Sequence, residues 1–136
     1  MESKGIINLE FLIIFLLLLL LFSIIISISI QEITSIEETQ NRESSRIITS
    51  DISKTINEVY YGGEGYSKTY TLPSMINKET YVLMINNTGV YINSHYQITY
   101  SDFIPNSNLN IKNIYLEPGN TYVFSNINNS IQVNQI

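Results

Sequence analysis

Residues 4–30 read KGIINLEFLIIFLLLLLLFSIIISISI. From Phe11 to Ile30 this stretch has twenty positions without a charge, and its only polar residues are Ser23, Ser27 and Ser29. Twenty helical residues rise about 30 Å, which matches the hydrocarbon thickness of a bilayer. Phe11 to Phe22 are all Phe, Leu or Ile, each favouring insertion by about 0.3–0.6 kcal/mol. The three serines can return their hydroxyls to backbone carbonyls one turn back. Because the segment is apolar all round, it belongs in lipid or in a wholly apolar bundle.

Before this block stand Lys4 and the amino terminus against Glu2 and Glu10; after it come Glu32, Glu37 and Glu38, with no base until Arg42. The positive-inside bias then places the amino end in the cytoplasm and the residues after 30 outside the cell. A secretory signal removed in full is the competing reading. It needs a shorter apolar stretch and a small-residue cleavage site, of which Ser27-Ile28-Ser29 is a poor version.

The whole chain has 136 residues, 44% hydrophobic and 14% charged, with a formal net charge of −5. Residues 31–136 are polar, acidic and rich in Asn, Ser, Thr and Tyr. Seven Lys and Arg scattered among twelve acids offer no basic face, which argues against nucleic acid as a partner. Without cysteine there is neither a disulfide framework nor a thiolate metal site, and one histidine, His95, cannot build a histidine-based one. No nucleophile–base pair, phosphate loop or metal cluster is legible, so the expectation is a non-enzyme that carries no cofactor and no metal. Glu32, Glu37 and Glu38 imitate a carboxylate site, but Glu37 and Glu38 are adjacent on a helix and do not share a face.

Lys4-Gly5-Ile6-Ile7, then Glu10, then the long Leu/Ile run resembles the amino terminus of type IV pilin precursors, in particular archaeal pilin-like proteins with class III signal peptides. The resemblance covers about the first thirty residues. It implies a prepilin-type peptidase that cuts on the cytoplasmic side after Gly5, with Lys4 as the basic residue before the cut and Ile6 as the new first residue. It also implies that Glu10 neutralises the terminal amine of a neighbouring subunit and so sets the axial register, together with an assembly ATPase, a polytopic membrane platform, and copies of itself or related pilins as partners. A buried carboxylate needs such a partner, because leaving it unpaired costs several kcal/mol. The bland alternative puts Glu10 in the headgroup region of a plain anchor.

There is no Pro or Gly between Ile6 and Tyr61, so one helix is expected to continue through residues 31–61. Charge pairs Glu38/Arg42, Lys54/Glu58, Glu43/Arg46 and Asp51/Lys54 support it by a few tenths of a kcal/mol each. Ile47, Ile48, Ile52, Ile56 and Val59 form an apolar stripe expected to pack against one sheet. Between Thr39 and Ser45 the stripe lapses, which predicts contact with solvent or a neighbouring subunit. Gly62-Gly63-Glu64-Gly65 supplies the positive-φ residues of a helix end and hinge.

Residues 66–136 read as a small antiparallel β head. Strands are expected over 66–72, 81–85, 90–92, 96–100, 114–116, 122–124 and 130–133, with turns at Asn86–Gly89, Glu117-Pro118-Gly119-Asn120 and 126–129. Tyr96, Ile98 and Tyr100 lie on one face of their strand, Gln97 and Thr99 on the other. The fold class is therefore α+β: a leader (1–5), a membrane or filament-core helix (6–30), its extension (31–61), a glycine hinge (62–65) and a sandwich-like, pilin-like head (66–136).

All ten tyrosines follow residue 59. Strand propensity and packing account for them first; the functional alternative is an adhesive or carbohydrate-binding surface. His95 reads as an exposed loop residue. Sequons begin at Asn86 and Asn128, both in expected turns on the extracellular side, where N-glycosylation has access. The functional expectation is a structural subunit, major or minor, of a surface filament or pseudopilus; the alternative is an uncut, single-span anchored β domain that binds a ligand or stabilises a surface complex.

Overall fold

The structure is a computed structural model that describes residues 3–94, 97–103 and 113–136, with side chains from residue 8 onward. The chain is α+β: among the described residues one long helix, α1 (Ser3–Tyr61), precedes seven strands in two antiparallel sheets. It divides into two units, Met1–Glu38 and Thr39–Ile136.

In the first unit the helix is a bare apolar surface. Every Leu, Ile and Phe from Leu9 to Ile36 is exposed, by 49% to 72%. The Ser29 hydroxyl donates to the carbonyl of Ile25 at 3.0 Å and that of Thr34 to Ile30 at 2.6 Å, so these polar side chains are satisfied without leaving the helix. Glu32, Glu37 and Glu38 are exposed.

The second unit has strands β1 (Ser67–Thr71), β2 (Tyr81–Ile85), β3 (Gly89–Ser94), β4 (Gln97–Asp102), β5 (Ile114–Leu116), β6 (Thr121–Ile127) and β7 (Ser130–Gln135). One sheet has the order β1-β6-β7 and the other β4-β3-β2-β5. The Glu117–Asn120 turn therefore carries the chain from one sheet to the other, with Gly119 at φ +83° as its third residue. Tyr122 ties that corner: its hydroxyl accepts from the Glu117 N–H at 2.7 Å and donates to the Glu117 carbonyl at 3.4 Å. The β6–β7 turn is shorter than expected. Asn128 and Asn129, at φ +54° and +59°, make a two-residue turn, so β6 runs on through Asn126 and Ile127.

The core joins the helix to both sheets, whereas one sheet was expected. Ile48, Ile52, Ile56 and Val59 share a buried cluster with Leu83, Ile85, Val90 and Ile92 of one sheet and Tyr122, Phe124 and Ile131 of the other. Ile47, expected in the stripe, is 56% exposed. Its place is taken by small hydroxyl residues: Ser45, Thr49, Ser53 and Thr55 are all buried. Their spacing with Ile48, Ile52, Ile56 and Val59 makes a single continuous helical face. Small side chains let the helix come close to the strands, and three of these hydroxyls find partners. Ser53 donates to the Ser101 carbonyl on β4 at 3.3 Å, Ser45 lies 3.4 Å from the Ser94 hydroxyl on β3, and Thr49 returns to the Ser45 carbonyl at 3.0 Å.

Much of the 39–45 segment meets solvent as expected, with Thr39, Gln40, Arg42 and Glu43 exposed, but it also makes contacts within the chain. Asn41 donates to Glu79 at 2.9 Å, Arg42 Nε donates to Gln97 at 3.3 Å, and Ser45 is fully buried. Of the charge pairs read from sequence, Asp51 and Lys54 meet at 3.9 Å. Glu58, by contrast, pairs with Lys68 on β1 rather than with Lys54.

Gly63 and Gly65, at φ +78° and +85°, turn the chain out of the helix. The turn is then stitched into β6: Gly65 N–H donates to the Asn126 carbonyl and Asn126 N–H to the Tyr66 carbonyl, each at 2.9 Å. Asn126 is 0% exposed, and its side-chain amide donates to the carbonyls of Val59 and Tyr60 at 3.3 Å each. It caps the end of α1 from within a strand, where sequence reading placed a turn residue.

Candidate functional site

Lys4, Gly5 and Ile6 lie on the backbone of α1, and Glu10 is an exposed side chain on the same helix, just before the uncharged block. A helix advances about 7.5 Å over the five residues from Gly5 to Glu10. The block that follows is long and apolar enough to cross a membrane, and none of it is buried within the chain.

Each sequon sits on a defined turn. At Asn86 the side-chain carbonyl accepts from the Thr88 N–H (2.9 Å), the Thr88 hydroxyl (2.6 Å) and the Gly89 N–H (3.1 Å). This Asx turn leaves the amide nitrogen, the atom a glycan would join, outside those bonds. Asn128 is exposed at the tip of the β6–β7 turn. His95 and Tyr96 fall outside the described residues. Among the described residues, no group of three or more His, Asp or Glu side chains is placed to hold a metal.

The tyrosines separate into two sets. Tyr81 and Tyr122 point inward and are nearly buried. Tyr81 donates to the Pro73 carbonyl at 2.6 Å, and burial pushes its hydroxyl pKa up to about 12. Burial also raises that of Tyr70.

A second set lies on the outer face of the four-stranded sheet. Pairing aligns Tyr100, Tyr91, Met84 and Tyr115 in one row across β4, β3, β2 and β5, with Ile98, Asn93 and Val82 in the next. Ile98 is 73% exposed, Tyr115 65%, Val82 54% and Tyr100 48%. The expectation grouped Ile98 and Tyr100 correctly on one face of β4; it is Thr99 on the other face that is buried. The rings are held in place: Tyr91 and Tyr100 lie 4.8 Å apart, centroid to centroid. Tyr100 donates to the Thr88 carbonyl at 2.9 Å, and the Tyr91 hydroxyl lies 2.8 Å from that of Thr88. Burial raises the Tyr100 pKa, with Tyr91 and Asp102 adding to the shift.

The outer face of the other sheet has a different character. It presents Ser67, Thr69 and Thr71 of β1 beside Thr121, Val123 and Ser125 of β6, then Gln132 and Asn134 of β7. Strand propensity alone does not separate two faces of one unit in this way. Next to the aromatic face, Arg42 and Arg46 of α1 line a notch of about 470 Å³ together with Gln97, Ile98, Thr99 and Tyr100. Sequence reading missed this notch because its halves are more than fifty residues apart. Compared with known families, curated proteins and solved structures, the chain matches none.

Proposed function

We propose that this chain is a structural subunit, major or minor, of a type IV pilus-like surface filament or pseudopilus. It inserts with its amino end in the cytoplasm, is cut after Gly5 by a prepilin-type peptidase, and is assembled through its apolar helix by an ATPase and a membrane platform. The observation that carries the reading is one spacing: glycine at 5, glutamate at 10, then twenty uncharged residues whose side chains the chain itself leaves exposed. An anchor requires neither the glycine nor the acid. In lipid that apolar surface is already buried, so hydrophobic burial contributes little to extraction and the machinery must drive it.

Mass spectrometry of the amino-terminal residue, on protein from native membranes or surface filaments, tests this. A chain starting at Ile6 with the apolar segment retained is the expected result. A start at Met1 would leave the second reading, an uncut single-span anchor carrying a binding domain, which the exposed aromatic sheet face favours. A start near Gln31 would mean ordinary secretion and would overturn both.

A further inference from the structure

We infer that the outer face of the β4-β3-β2-β5 sheet, with the arginine notch at its β4 edge, is a binding site for an acidic sugar chain whose rings bear carboxylates. The inference does not depend on cleavage after Gly5 or on filament assembly.

Three observations converge. The first is a row of aromatics: Tyr100, Tyr91 and Tyr115 with Met84 between them, spanning four strands, or about 14 Å. A Tyr ring offers an apolar face to the C–H face of a pyranose and a hydroxyl to its neighbours. Because two of the three hydroxyls are tied to Thr88, those rings lose little freedom when a ligand settles on them.

The second is charge. Arg42 and Arg46 lie one turn apart on α1, and among the described residues neither guanidinium has a carboxylate within 4.0 Å. In a chain with twelve acids and seven bases, two adjacent arginines without an acidic partner are an unused anion-binding pair. Gln97 accepts from Arg42 Nε and holds that side chain over the β4 edge, where the guanidinium can meet a carboxylate through two parallel bonds. A neutral glycan would leave the pair unused.

The third is size. The two rows extend about 14 Å across the strands and about 7 Å along them. That is well short of the roughly 800 Å² per partner that a stable protein interface needs. A second copy of this chain is therefore a poorer occupant than a sugar chain a few rings long.

The test uses the full chain in lipid nanodiscs, titrated with hexagalacturonate and, separately, with neutral maltohexaose. Binding is read by isothermal titration calorimetry, because most of the chain's ten tyrosines lie off this face and would dominate its emission. The expected result is saturable, salt-sensitive binding of the uronate and at least tenfold weaker binding of the neutral oligomer. Arg46→Gln and Tyr115→Ala should each weaken uronate binding tenfold or more, Tyr115→Phe should keep it within threefold, and Thr69→Ala on the opposite sheet should leave it unchanged. Circular dichroism of each variant separates loss of binding from loss of fold. The inference is overturned by absence of uronate binding, by equal binding of both oligomers, by equal loss in Thr69→Ala, or by self-association that Tyr115→Ala abolishes.

Discussion

Asn126 offers a sharp test of how the helix end is joined to the sheet. Its amide is the partner of two carbonyls in the last turn of α1, Val59 and Tyr60, inside a fully buried site. Asn126→Ala leaves both carbonyls without that donor, at about 1 kcal/mol each, the low end for a buried acceptor because the bonds are long. The vacated volume adds about 1 kcal/mol. The substitution also removes the buried side-chain oxygen of Asn126, which has no partner, and this returns about 1 kcal/mol. The net expectation is a loss of about 2 kcal/mol, or a fall in Tm of roughly 8–16 °C for a unit of this size. Asn126→Asp has nearly the same shape but turns a carboxylate toward two carbonyls. Its folded-state pKa must therefore rise above the unfolded value of about 4. The protonated acid can donate as the amide does, so stability is present below about pH 4 and lost as pH rises through the folded pKa. Thermal unfolding of the full chain in nanodiscs, followed by near-ultraviolet tyrosine dichroism at pH 4 and pH 7, reads both effects. If Asn126→Ala costs less than about 0.5 kcal/mol, or if the pH dependence of Asn126→Asp matches that of the parent, the capping role is wrong.

Other perturbations have comparably definite outcomes. A methyl group at Gly89 would meet the Tyr100 ring at 2.4 Å and the Ser101 carbonyl at 2.6 Å, so Gly89→Ala should cost about 1–3 kcal/mol in the same unfolding assay. Tyr81 stays neutral in the fold up to about pH 12, against 10.0 for its ordinary value. Its contribution is complete below pH 10 and lost as pH rises toward 12, so Tyr81→Phe should flatten the alkaline fall in Tm over that window. Ser45→Leu should destabilise by about 1–3 kcal/mol through overpacking against Ser94, measured by urea unfolding. Under the filament reading, Glu10→Ala should still be cut after Gly5 but give a much reduced filament yield by electron microscopy. Normal processing with full assembly would refute its register role.

What sequence made legible follows what pattern encodes. The apolar helix needed no tertiary context, since twenty uncharged residues have few alternatives. The main strands were marked by alternation and the turns by Asn, Gly and Pro, although Gly89, expected in the Asn86–Gly89 turn, begins β3. The helix face was read in part: Ile48, Ile52, Ile56 and Val59 are buried as expected, but its small residues were missed because hydrophobicity was the only signal used. Ser45, Thr49, Ser53 and Thr55 are buried for their small size, the first three with hydroxyl partners, while Ile47 at 56% exposure has no core to enter. Asn126 was placed in a turn because Asn usually marks one; only the capped helix end explains an amide buried in a strand. Residues after a crossing turn were equally opaque. Local sequence makes β5 and β6 look like a hairpin, yet they belong to different sheets.

The two faces of the second unit sharpen what the tyrosines mean. Inward tyrosines at 81 and 122 close turns and corners through their hydroxyls, so replacing them should be felt in folding. The outward row is held by bonds to Thr88 but leaves Tyr115 65% exposed, so replacing Tyr115 should be nearly silent in stability. The hydroxyl-and-amide face of β1-β6-β7 offers water little reason to leave. The aromatic face offers several exposed apolar side chains within about 14 Å, with two guanidiniums at its edge that, among the described residues, meet no carboxylate within 4.0 Å. Stability that ignores Tyr115 combined with binding that depends on it is the signature that separates a recognition surface from strand propensity, and it can be measured on a single variant.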